Sequence, residues 1–154
     1  MRRATVGCIF VVLFIPVLVL AQADGAKVYQ KCAACHRPTG VGKPGVFPPL
    51  AGNAPEILKA EGGRDYMIDV VLFGLQGEIQ IKGTKYNGTM RPFGAQLSDE
   101  EIAAVLNHIL TSWGNEKALP KDHKPFTAAE VKAQRGKNLT PDTVREARGK
   151  LGLK

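Results

Sequence analysis

Polar and apolar positions along the chain change their rhythm several times. Residues 6–20 form an unbroken apolar run without a charge. From residue 25 to 34 the spacing becomes helical, with Ala26, Tyr29 and Ala33 on one face. Residues 37–53 carry glycines at 40, 42, 45 and 52 and prolines at 38, 44, 48 and 49, a density that forbids a regular element. A short helix is predicted over residues 55–60. A clearer one covers residues 64–74, where Tyr66, Met67, Val70, Val71 and Phe73 make an apolar face and Gly74 stops it. Residues 78–82 alternate through Ile79 and Ile81, as a short strand does, and residues 83–88 offer a turn and a return strand. Ser98-Asp-Glu-Glu101 is a capping box, and its helix is predicted to carry Ile102, Val105, Leu106, Ile109 and Trp113 up to Gly114. Residues 127–134 and 141–150 read as two further short helices, the second with Thr140 as its N-cap and Pro141 at the first helical position.

Length and charge then set the organisation. The 154 residues, 44% hydrophobic and 23% charged, suit one compact domain with an appendage. Arg2 and Arg3, the apolar run and Ala21-Gln22-Ala23 make the pattern of a secretory signal peptide over residues 1–23, cleaved to leave a periplasmic protein. A retained anchor is the competing reading, but the run is short for a span, so no stable membrane span is expected after cleavage. Residues 24–114 hold nine basic and nine acidic side chains, whereas residues 115–154 hold ten basic and five acidic. The positive charge therefore belongs to the tail, a basic helical extension. Nothing in it resembles a nucleic-acid module. It either solvates a surface and wraps the core, or docks an acidic partner.

The chemistry lies in Cys32-Ala-Ala-Cys35-His36. This is the spacing of c-type haem attachment: two thiols one helical turn apart each add to a vinyl group of one porphyrin, and the histidine becomes the proximal ligand of the iron. A plain disulfide, a thioredoxin-like pair or a zinc site are the alternatives. The first is permitted in an oxidising compartment. The second needs βαβ units, and the third needs more ligands than His108 and His123 supply. For the sixth ligand, Met67 falls on a helix face, where core packing is its ordinary role. Met90 falls in an apparently irregular stretch, residues 87–94, from which a sulfur can reach an iron, and it is the expected ligand.

With these residues in place, the chain resembles the class I c-type cytochromes over residues 24 to about 114. The shared features are an N-terminal helix with Gly25 and Tyr29, the pentad, a Gly/Pro loop, a methionine and a C-terminal helix. The resemblance implies an all-α, cytochrome c-like fold around one covalent haem c, here with a small β-hairpin-like insert and a helical C-terminal extension. It implies that a loop proline accepts a hydrogen bond from the proximal histidine; Pro48 fits best and Pro49 second. Tyr86 and Phe93 are expected in the haem pocket, with Phe47, Leu50, Ile57, Val71 and Leu75 as further apolar wall. It also implies that the first and last helices cross, bringing Gly25 and Tyr29 against Ile109, Leu110 or Trp113. The insert at 77–88 followed by Met90 is similar to cytochrome domains of periplasmic dehydrogenases and reductases, although Arg91 separates Met90 from Pro92. The implied function is single-electron transfer between a redox enzyme and a respiratory partner (dehydrogenase, reductase or oxidase), without catalysis of its own. The alternative is a peroxidase-like haem enzyme or sensor with a releasable sixth ligand.

Overall fold

The computed structural model describes residues 23–153. The apolar run and nearly all of the expected signal segment lie outside the described residues. Asp24 caps α1 (Gly25–His36), its carboxylate accepting from the N–H groups of Ala26 and Lys27 at 3.0 and 3.2 Å. The capping box at Ser98 and Glu101 starts α4 (Asp99–Leu110), whose buried stripe includes Ile102, Val105, Leu106 and Ile109. These two helices pack together. Gly25 makes that approach possible, since a Cβ there would overlap the carbonyl of Ala104.

Between them lie α2 (Ala54–Lys59), α3 (Gly63–Phe73) and an antiparallel hairpin of β1 (Leu75–Ile81) and β2 (Thr84–Met90). The hairpin runs in register from Leu75 opposite Met90 to Ile81 opposite Thr84. Its two turn residues, Lys82 and Gly83, both have positive φ (48° and 81°), the conformation that matches the twist of the strands. The hairpin is longer than the alternation predicts. Gly77 pairs with Gly88 and Glu78 with Asn87, and residues without apolar side chains conceal the strand period. Met90 is therefore the last residue of β2, not part of an irregular stretch.

The last predicted helix of the family-like segment also differs. It ends at Leu110, with Thr111 as C-cap. Trp113 lies beyond it at φ 56° and Gly114 at φ 84°, so Trp113 reaches the core from a turn. Its ring packs tilted (55°) against Tyr29 with centroids 5.0 Å apart, and its indole N–H donates to the Pro38 carbonyl at 3.1 Å.

The C-terminal segment runs back over this core as α5 (Ala128–Arg135) and α6 (Pro141–Lys150), each opened by a threonine capping box. Val131 and Val144 are fully buried and join the same hydrophobic cluster as α1, α3 and α4. In the folded chain the expected appendage is part of the core. Among the described residues no helix is long and apolar enough to cross a membrane.

Candidate functional site

The last turn of α1 presents Cys32, Cys35 and His36 to one cavity, Cys32 half-buried and Cys35 exposed. The cavity measures ≈ 600 Å³, within the range of cofactor sites, and its walls are mostly apolar. Phe47, Leu50, Ile57, Val71 and Leu75 line it, as do Tyr86 and Phe93. Met90 lies on the wall contributed by the hairpin, and Met67 on the wall contributed by α3. The spacing of α1 puts both thiols and the imidazole on one turn. The non-regular segment 37–53 closes over them.

That segment is tied down at several points. The Tyr29 hydroxyl donates to the Arg37 carbonyl at 2.8 Å. Asn115, almost fully buried, accepts from the Gly52 N–H at 2.7 Å and donates to the carbonyls of Ile109 and Leu50. His36 Nδ1 lies 2.8 Å from the Pro48 carbonyl oxygen. A carbonyl only accepts, so Nδ1 carries the proton and Nε2 keeps its lone pair free. Burial lowers the His36 pKa, with the Pro48 hydrogen bond opposing, and the net direction favours the neutral ring that a metal ligand requires. Burial and the neighbouring Cys35 push the free Cys32 thiol up to about 11.

Met90 is held through its backbone and its neighbours. It pairs with Leu75, and Gly74 (φ 79°) leaves room for the Met90 carbonyl where a Cβ would collide. Downstream, the N–H groups of Phe93 and Gly94 donate to the Val71 and Leu72 carbonyls at 2.9 and 3.1 Å. Arg135 of α5 then donates to the carbonyls of Gly94 and Leu97 and to the Asp99 carboxylate.

His108 sits half-buried against Tyr29 and Trp113, with ring centroids 5.5 and 5.9 Å away, and does not line the cavity. His123 is in the connector, also outside it. Among the described residues no group of three or more His, Cys, Asp or Glu side chains stands together to hold a metal ion.

Sequence reasoning missed Ile79, Ile81, Tyr66 and Arg148 as cavity residues. The two isoleucines were visible as strand alternation but not as a wall. Arg148 had a signal: Val144, Ala147, Arg148 and Leu151 follow the helical i, i+3, i+4, i+7 spacing, which puts the arginine on the inward stripe.

Two sulfurs on one helical turn, an imidazole tied through Nδ1 to the Pro48 carbonyl and an apolar chamber fit a covalently attached macrocycle with a ligated iron. The site is thus that of a haem c protein. A cytochrome c family model matches residues 22–113, and the chain belongs to the cytochrome c family, with the class I architecture. The chain is 64% identical over 137 residues to cytochrome c-552 of Thermus thermophilus, covering 89% of this chain and 91% of the relative. It is 36% identical over 113 residues to the cytochrome c subunit of a quinone alcohol dehydrogenase of Gluconacetobacter polyoxogenes, covering 72% of this chain but 22% of that protein. Cytochrome c6 of Microcystis aeruginosa is 36% identical over 90 residues, 56% of this chain and 91% of the relative. The cofactor is haem c, and the protein is an electron-carrying cytochrome.

Proposed function

We propose that this cytochrome is an exported, periplasmic carrier of single electrons, with Cys32 and Cys35 as thioether attachments and His36 and Met90 as axial ligands. The observation that carries the reading is the convergence of both thiols, the Pro48-oriented imidazole and the Met90 wall on one apolar cavity. When bound, haem c supplies one reversible electron. The Pro48 carbonyl fixes the His36 ring and raises its basicity. Phe93 and Tyr86, both buried, exclude water, and an apolar wall with a thioether ligand favours the reduced state. Support for export comes from the arginine-led apolar run and the small-residue triplet at its end. The domain reading divides the chain at residues 1–23, 24–114 and 115–154, the last part packed on the second.

Exposed Cys35 places the cavity mouth at the surface, near exposed Val46. A redox protein meets the carrier there over a small, transient contact. Lys117, Lys121 and Lys124 are exposed in the connector, and among the described residues they make no ion pair, which supports a role in steering toward an acidic partner.

The rival is a peroxidase-like enzyme or sensor. The carrier reading expects ferrous protein that does not take up carbon monoxide and ferric protein that does not turn over peroxide. Rapid, stoichiometric carbon monoxide binding at neutral pH would favour the rival.

A further inference from the structure

Arg148 is charged, yet only 4% exposed, and it lines the cavity. It comes from α6, in the C-terminal extension, beyond residue 113 where the match to the family model ends. Its guanidinium carbon stands 5.9 Å from the Tyr66 ring; it bonds the Tyr66 hydroxyl and donates a long bond, 3.4 Å, to the Gln80 carbonyl. Among the described residues no carboxylate forms an ion pair with it. A guanidinium has five N–H donors and does not lose its proton, so burial beside two neutral partners, a hydroxyl and a distant carbonyl, leaves its charge unmatched and donors to spare. The other buried or half-buried arginines are matched: Arg64 has Glu130 at 2.7 Å, and Arg135 has Asp99 at 2.7 Å.

The missing partner is an anion inside the cavity. We infer that Arg148 is the counter-ion of a haem propionate carboxylate, so that the C-terminal extension binds the cofactor directly as well as covering it. The inference rests on the haem c assignment but not on which methionine ligates. Val144 and Ala147 supply the packing that holds α6 against β1 and α3, and Arg148 uses that anchorage to point inward. A cation paired with the propionate offsets negative charge near the iron and thereby favours the reduced state.

Two measurements on the holoprotein decide this. In the wild-type protein, a nuclear Overhauser contact is expected between haem propionate methylene protons and the Arg148 side chain. Assigned propionates whose contacts lie entirely with other residues would overturn the inference. Second, the reduction potential of Arg148→Met is expected to fall below wild type, with Arg148→Lys between the two. Lys150→Met, which removes an exposed cation from the same helix, serves as control and is expected to leave the potential near wild type. A wild-type potential in Arg148→Met, or an equal fall in Lys150→Met, contradicts the assignment.

Discussion

At the scale of single residues, the attachment pentad was legible because its chemistry is local: spacing alone puts two thiols and an imidazole on one turn. The arginines were not, because their roles depend on segments far apart in sequence. Arg64 of α3 donates to the Lys124 and Pro125 carbonyls at 2.9 Å, pairs with Glu130 at 2.7 Å and lies 4.1 Å from the Phe126 ring centroid. Its hydrogen bond holds the Glu130 carboxyl down at about 2, against an ordinary 4.5. Because the folded value is the lower one, the pair contributes fully above pH 4.5 and is lost as pH falls toward 2. Both side chains are partly exposed, so Glu130→Gln is expected to cost only about 1 kcal/mol at neutral pH. Denaturation at neutral and strongly acid pH checks this: the gap between variant and parent should close in acid. Gly25→Ala is expected to cost about 2 kcal/mol, since the added methyl meets the Ala104 carbonyl of a packed helix. A denaturant midpoint equal to that of the parent would refute the close-crossing explanation.

Among the elements, helices with caps were read nearly to the residue, because Ser98, Thr127 and Thr140 announce their starts. Ends were harder. The apolar spacing carries on to Trp113, but the helix stops at Leu110 because the indole is used to clamp the Gly/Pro loop. Hairpin length was hidden by the Gly77–Gly88 pair, and with it the strand setting of Met90. The segment after Met90 depends on Arg135, whose single side chain bonds Gly94, Leu97 and Asp99. Replacing it by alanine frees two carbonyls and a carboxylate and is expected to destabilise the fold by about 2–3 kcal/mol. With Met90 as the proposed ligand, the sulfur-to-iron signal of the ferric protein is expected to fail at lower temperature than global unfolding in that variant. Simultaneous loss of both signals at the parent's temperature would mean that Arg135 does not brace the loop. Lysine should rescue poorly, because its ammonium lacks the planar fork that reaches all three acceptors.

For the whole molecule, the sequence suggests a cytochrome with a charged tail attached, and charge counting separates the two by composition but says nothing of packing. Phe126, Val131 and Val144 are buried with the α3 and α4 core, and three of the tail's ten basic side chains are engaged within the rest of the fold. Arg135 pairs with Asp99, Lys137 with Asp69, and Arg148 enters the cavity. Removing residues 115–154 is therefore expected to expose that face and lower thermal stability sharply. A truncated holoprotein as stable as the full chain would rule out a shared core. An apolar chamber of ≈ 600 Å³ also makes folding depend on what fills it. The double variant Cys32→Ser, Cys35→Ser is expected to be largely unfolded and protease-sensitive; a native far-ultraviolet circular dichroism spectrum in the haem-free chain would contradict this. The central claim is that one cavity holds haem c between His36 and Met90, with Met67 serving as wall. The direct measurement is the long-wavelength sulfur-to-iron absorption band of the ferric protein in the parent and in Met90→Ala and Met67→Ala. The account predicts that the band is present in the parent, disappears in Met90→Ala and survives in Met67→Ala. A band that persists without Met90, or is lost only without Met67, contradicts it.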